Sequence, residues 1–369
     1  MSEHILFIIT DTRTGGTEKS LISFLEALDR KQYKPFCLFL KPGGELQEKI
    51  ESLCEKTCPF SPKSLFDFSF IRKVCRFVLQ EKIVILHSFL FHSNMLSRIV
   101  KCFHRSVVVI NSHRTMEKGK KWHLLCDALT KNLVDFEVAN AAAVNEFYQN
   151  KTSSHPDKIK TIYNGYPRFS NSRHCTKKIR RFVVVASFSK AKGQRELIQT
   201  LSTFLLDKPY SVTFVGEGAL RPACENLVLS LGLTERISFR NRIDDQTALY
   251  DLCDCLLIPS LWEGMPNVLF EALLREKPVI STAVGGVQEL SPYAHNSLFI
   301  FDHDNPQSLE SSMDNIISNW EKIKEDLKQA REGIERDFSV ATMAKKYQSL
   351  YSDLLQKTKN SQKSIPQAF

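Results

Sequence analysis

Two carboxylates eight residues apart, Glu263 and Glu271, are the side chains whose type and spacing speak most directly of chemistry. They stand in the stretch IPSLWEGMPNVLFEALLREKPVISTAVGGVQEL, residues 258–290. The apolar run 255–258 stops at Pro259, as a strand buried on both faces does. Gly264 and Pro266 make residues 260–267 a loop, and the spacing of Val268, Leu269, Ala272 and Leu273 predicts a helix. Glu263 thus falls in a loop at the carboxyl end of a strand, and Glu271 falls early in the helix that follows. That edge of an open α/β sheet is where ligands bind. A helix start offers backbone N–H groups to an anion such as a diphosphate, and a nearby carboxylate can accept from two sugar or ribose hydroxyls. Taken singly, Glu271 is explained by the helix macrodipole and Glu263 by solvation. The combination of strand end, Glu-Gly-x-Pro and second Glu is more specific than either.

The segment Glu263-Gly264-Met265-Pro266-Asn267-Val268-Leu269-Phe270-Glu271 resembles the E-x7-E motif of glycosyltransferase family 4, whose members are retaining, sugar-nucleotide-dependent enzymes of the GT-B fold. The likeness covers most of the chain and is best over residues 163–290. It implies an α/β fold of two Rossmann-like domains facing a cleft, with a C-terminal helix crossing back to the first domain. It implies that Glu271 holds ribose hydroxyls and that Glu263 with the Gly264-Met265 backbone orients the sugar. Pro266 and the N–H groups near Asn267, Val268 and Leu269 would help with the diphosphate.

The elements that must position these groups alternate strand and helix along the whole chain. Residues 4–10 read as strand one, too short and too poor in preceding basic residues for a secretory leader. The turn Thr14-Gly15-Gly16-Thr17-Glu18 follows, then a helix. A Gly-Gly turn lets backbone approach a ligand closely. It lacks the G-x-G-x-x-G fingerprint, which disfavours a nicotinamide cofactor. This turn is similar to the family's GGxE loop and makes Gly16 a donor-contacting position. Strands are expected at 36–40, 83–86, 107–110 and 136–139, and helices at 45–54, 70–80, 122–133 and 142–148. His87 and His92 resemble the family's alternating His segment, with Phe89 where a second His is common. His113 sits where the family has a His that approaches the donor sugar, although a His at a strand end is also an ordinary structural residue.

Asn164-Gly165 is a strong turn signal. With the polar stretch 167–178 it marks a domain boundary, giving 1–165 as an acceptor-side domain, 166–355 as a donor-binding domain whose last helix packs on the first, and 356–369 as a polar tail. The second domain opens with a β-branched strand at 181–186. Lys192, before Gly193, matches the family's Lys that pairs with the donor diphosphate. The family's Arg five residues earlier is Ser187 here, which donates one neutral hydrogen bond instead of a charge-assisted one about twice as strong. Gly216-Glu217-Gly218 ends the next strand and is similar to the glycine turn facing the nucleotide, with Arg221 where a dinucleotide fingerprint needs its third Gly. Asn241 and Ile243 follow the strand 237–240, at the turn where the family packs the base. Asp302-His303-Asp304 is formally D-x-D, but Asp at a turn or helix start needs no metal, so no metal site is expected.

Totals set outer bounds. The 369 residues suffice for two domains, 43% are hydrophobic and 25% charged, and no apolar run approaches membrane-spanning length. Ten cysteines stand without a disulfide or zinc framework, as in a reducing cytoplasm. Residues 1–165 hold 24 Lys+Arg against 17 Asp+Glu. That surplus suggests an anionic partner, such as a lipid-phosphate acceptor or a membrane surface. The run 118–122 is too short to argue for nucleic acid. The expected protein is a cytoplasmic, metal-independent retaining glycosyltransferase without a cofactor. It would move a sugar from a nucleotide-diphosphate donor to a glycan or lipid-linked acceptor, with His113, Glu263 and Lys192 at the reacting centre. Alternatives are a non-catalytic sugar-nucleotide binder and an epimerase or phosphorylase on the same fold.

Overall fold

The structure, a computed structural model, describes residues 2–58, 62, 67–117, 119–169 and 179–363. It divides into two units, Met1–Pro167 with Phe338–Phe369, and Arg168–Asp337. Most of the expected linker (170–178), Lys118 of the basic run and the end of the tail (364–369) lie outside the described residues.

The first unit holds β1 (Glu3–Asp11), β2 (Tyr33–Lys41), β3 (Lys56–Thr57), β4 (Ile83–Phe89), β5 (Val108–His113), β6 (Phe136–Ala139) and β7 (Ile159–Thr161). They form one parallel sheet in the order β3-β2-β1-β4-β5-β6-β7. Ile5 to Ile9 of β1 are all fully buried, because both faces of the sheet are covered. Alternate residues serve opposite faces. Ile5, Phe7 and Ile9 pack with Phe24 and with Tyr347 and Tyr351 of the last helix, while Leu6 and Ile8 pack with Phe70, Val74, Leu96 and Val100.

The last helix, Val340–Lys363, therefore belongs to the core of the first unit although it follows the second unit in sequence. It runs past Gln356, where the sequence suggested a tail. Its polar residues are adequate helix formers, and no Gly or Pro interrupts them before Pro366. A helix at Phe91–Phe103, inside and beyond the His-containing segment, was not read from the sequence.

The second unit holds β8 (Arg181–Val185), β9 (Ser211–Val215), β10 (Ile237–Arg240), β11 (Cys255–Ile258), β12 (Val279–Thr282) and β13 (Leu298–Phe301), parallel in the order β10-β9-β8-β11-β12-β13. Strand order reverses between β1 and β4 in one sheet and between β8 and β11 in the other. Such switch points open a crevice at the carboxyl ends of the strands.

Candidate active site

In the second unit the strand ends carry the predicted donor residues. Ser187 and Lys192 follow β8, Gly216 follows β9, Asn241 and Ile243 follow β10, and Glu263 to Leu269 follow β11. Backbone hydrogen bonds lace these loops together. Leu261 N donates to Ala191 O (2.8 Å), Phe188 N to Glu217 O (2.8 Å), Gly216 N to Arg240 O (3.1 Å) and Gly286 N to Gly264 O (2.7 Å). The buried Gln194 side chain donates to Ser187 O (2.9 Å), fixing the loop after β8 to the helix Gln194–Leu201. Gly193 has φ +63°, and a Cβ there would collide with Pro259 O. Only glycine lets these two loops approach so closely. Pro259 O is in turn bonded to His303 Nε2 (2.8 Å).

Lys192 and Glu263, 71 residues apart, form an ion pair at the switch point. Ser260 Oγ donates to the same Glu263 oxygen (3.0 Å), and Thr282 Oγ1 donates to Ser260 O (2.6 Å), so the carboxylate is held from below by β11 and β12. The pair is partly exposed, with 28% of the Lys192 and 14% of the Glu263 side chain accessible. Glu271 lies on the helix Asn267–Leu273, its Oε2 accepting from the buried Tyr250 hydroxyl (3.1 Å). Burial and the Glu271 charge push the Tyr250 hydroxyl well above its usual range, so it remains a donor. Arg275 stacks on the Tyr250 ring (4.6 Å) and donates to Glu271 O (3.1 Å). Tyr250 is thus a positioning residue that motif reading missed; its 21-residue separation from Glu271 gives no local signal.

Arg221, noted in the sequence only as the residue that breaks a glycine fingerprint, has a definite place. Its guanidinium donates to Asn241 Oδ1 (2.6 Å), Gly216 O (3.3 Å) and Glu225 (2.8 Å). It ties the loop after β9 to the loop after β10. Asp302 Oδ1 accepts from Asp304 N (3.0 Å), which accounts for the first acid of the D-x-D triplet as a turn residue.

In the first unit, Gly15 caps the helix Gly16–Ala27, and Glu18 folds back over it; a Cβ on Gly15 would collide with Glu18 Oε2. Burial pushes the Glu18 carboxyl up to about 7, with its own backbone N–H and Arg114 opposing the rise. Arg114 is bonded to Asn164 and lies over the Phe89 ring (5.0 Å). Ser20 Oγ also donates to Asn164 Oδ1 (3.0 Å).

His113 is the position that the resemblance gives to a His near the donor sugar. It is buried, stacked on Tyr148 (3.7 Å between centroids), and its Nε2 donates to Glu137 Oε1 (3.1 Å). Glu137 and Asp127 flank the fully buried Arg98, whose guanidinium meets Asp127 at 2.7 Å and Asn111 at 2.7 Å. The ring therefore completes a buried charge network, the arrangement that keeps interior ions tolerable. Burial alone would raise the Glu137 carboxyl, but the His113 bond and the Arg98 charge hold it below its ordinary value. His87 is also internal, bonded to Tyr351 (2.6 Å) and Ser112 (2.8 Å), and burial drives its pKa far down, so it stays neutral. His92 is half-buried, with its ring 5.7 Å from that of His123.

Comparison with known proteins follows this division of the chain. Residues 14–168 match the family described as Glycosyltransferase Family 4, and residues 169–333 match Glycosyl transferases group 1. A capsular polysaccharide biosynthesis glycosyltransferase, CapH, of Staphylococcus aureus is 23% identical over 86% of this chain and 92% of its own length. An N-acetylgalactosaminyltransferase of Campylobacter jejuni, named for a polyprenol-diphosphate-linked acceptor, is 22% identical over 95% of this chain and 98% of its own. An uncharacterized glycosyltransferase of Methanocaldococcus jannaschii is 25% identical, but there the match spans only about half of either chain, 53% of this one and 54% of the other. Among solved structures, Anabaena HepE in complex with UDP superimposes with a TM-score of 0.81 at 19% identity, over 96% of this chain and 100% of HepE.

Proposed function

The chain belongs to the family-4 type of glycosyltransferases with the GT-B fold, and on that premise we propose that it transfers a sugar, with retention of anomeric configuration, from a nucleoside-diphosphate donor bound on the second unit. The observation that carries this reading is the meeting of Lys192 and Glu263 at the β8/β11 switch point, from loops 71 residues apart, with Glu271 on the helix that follows the Glu263 loop. The crystallised relative with UDP bound makes a uridine nucleotide the first donor to test.

In this proposal Glu271, aimed by Tyr250, accepts from the ribose hydroxyls. The base lies against the Gly216 and Asn241–Ile243 loops that Arg221 ties together. Lys192 is the cation for the diphosphate. It starts bound to Glu263, so donor binding exchanges a carboxylate with one negative charge for a diphosphate with two. Glu263, released from the ammonium but still held by Ser260, accepts from a sugar hydroxyl. As the glycosidic bond breaks, negative charge grows on the leaving diphosphate and positive charge on the sugar ring. A fixed ammonium stabilises the first without reorganisation, and the ring becomes oxocarbenium-like. With Ser187 in place of an arginine, this single lysine carries the charge stabilisation, and no divalent cation is called on. The acceptor is a glycan, lipid-linked as the name of the Campylobacter relative describes for that enzyme.

Proton NMR of the product formed from a UDP-hexose and a glycan acceptor tests the reading. The anomeric coupling of the donor should be kept, and Lys192→Ala should lower kcat by about 100-fold or more, the scale of losing one preorganised charge stabiliser. An inverted product contradicts retention. Nucleotide binding with no transfer to any acceptor, at wild-type Lys192, favours the non-catalytic binder, a reading that Ser187 also favours.

A further inference from the structure

The helix Lys121–Thr130 of the first unit is amphipathic in the wrong sense for a packed helix. Its one buried residue is an acid, Asp127, 3% exposed and paired with Arg98. Three of its four large apolar side chains face solvent: Trp122 is 68%, Leu125 51% and Leu129 73% exposed, while Leu124 is half-buried. At 100° per residue these three positions fall within one narrow stripe. Soluble proteins leave single apolar residues outside, but a contiguous stripe marks a surface that meets something apolar.

The charges around the stripe say what that something is. Lys120 and Lys121 are exposed at its start and Lys131 follows its end. Lys131 Nζ donates to Ser153 O, which leaves its charge uncompensated by an acid at that contact (3.0 Å). The nearby acid Glu117 is largely covered and is bonded to His123 (2.5 Å) and more loosely to Lys120 (3.5 Å). Apolar side chains including a Trp, flanked by lysines and with the helix's acid turned inward, are what a helix lying in a lipid interface presents. The surplus of basic residues over 1–165 gives the same sign over a longer range. A protein partner would need its own acidic rim against these lysines, whereas an anionic bilayer supplies one without specific geometry.

We propose that the face formed by Trp122, Leu125 and Leu129 docks the first unit onto a lipid bilayer bearing anionic headgroups, with Lys120, Lys121 and Lys131 at headgroup level. The docking does not depend on the donor chemistry proposed above. It adds a surface that would hold the enzyme beside a membrane-resident acceptor.

Co-sedimentation with vesicles tests it, using phosphatidylcholine alone and phosphatidylcholine mixed with phosphatidylglycerol. The full chain should bind the mixed vesicles, release at high salt, and bind neutral vesicles weakly. Lys120→Gln with Lys121→Gln should weaken binding to the mixed vesicles by about thirtyfold, from two surface lysines at the usual strength of each. Trp122→Ser with Leu125→Ser and Leu129→Ser should abolish it. These side chains are exposed, so folding should be kept and is checked by circular dichroism. A readout that needs no triple variant is the Trp122 emission, taken as wild type minus Trp122→Phe, which should shift to the blue on mixed vesicles. Absence of wild-type binding, an unshifted Trp122, or equal binding by the triple variant overturns the proposal. So does a wild-type dimer that the triple variant makes monomeric while neither binds vesicles, since the stripe would then join two copies of the chain.

Discussion

Glu18 should make the first unit lose stability as pH rises through neutrality. The carboxyl is almost fully buried over Gly15 at the start of the helix Gly16–Ala27, and burial lifts it to about 7 from an ordinary 4.5. A carboxyl that holds its proton more tightly when folded stabilises the fold fully below its unfolded value. That contribution shrinks as pH climbs from about 4.5 and is gone above about 7. The difference corresponds to roughly 3 kcal/mol between pH 4.5 and pH 8 at 1.36 kcal/mol per pH unit. Glu18→Gln keeps the shape and a polar group over Gly15 but cannot ionise. Hydrogen exchange of the buried β1 amides, followed from pH 5 to 8 and corrected for intrinsic rates, reads the unit's opening free energy. Other titrating groups contribute to the slope in both proteins, so the informative quantity is wild type minus variant. The variant should gain on wild type with rising pH, by about 2–3 kcal/mol near pH 8. Parallel curves would mean that Glu18 titrates alike in the folded and unfolded chains and does not set this pH dependence.

Two further outcomes concern the second unit. Gly193→Ala forces a Cβ into Pro259 O at a left-handed backbone position, so the loops after β8 and β11 must separate. Denaturant unfolding of the second unit should show a loss of about 2 kcal/mol or more, above the 1–2 kcal/mol that the backbone conformation alone costs, and nucleotide affinity should fall with it. Tyr250→Phe removes the 3.1 Å bond to Glu271 and leaves the packing. Calorimetry should show nucleotide affinity reduced about tenfold, the worth of one hydrogen bond to a charged group; unchanged affinity would mean that Tyr250 does not position Glu271.

What the sequence made legible follows from how parallel sheets are built. Strands buried on both faces read as unbroken apolar runs, and β1, β4 and β11 were plain for that reason. Loops at the carboxyl ends of such strands are where an α/β sheet can meet a ligand, so the Glu263–Glu271 segment was singled out by position as well as by motif, and Lys192 by its resemblance to the family's motif. Pairings across long separations left no trace in the sequence. Nothing local says that Lys192 meets Glu263, that Tyr250 aims Glu271, or that Arg221 bridges Gly216 and Asn241. Orientation was equally hidden. His113 at a strand end could point outward or inward, and the buried Arg98, Asp127 and Glu137 that draw it inward come from three separate elements. The helix expected at 122–133, observed at Lys121–Thr130, gave no sign that its acid would be the buried side. The reach of the last helix depended on an absence, since no residue between Gln356 and Lys363 stops it.

The site proposed on the second unit binds a nucleoside diphosphate through Lys192, Glu263 and Glu271. Thermal unfolding of wild type and Glu271→Ala with UDP, GDP, ADP and CMP, each with and without EDTA, tests it most directly. A nucleotide at about 100 times its Kd should stabilise the wild type by about 2.7 kcal/mol. One of the four should do so, unaffected by EDTA, and the effect should be lost in Glu271→Ala. Stabilisation by none of them, or equal stabilisation of the variant, would contradict the assignment of this site.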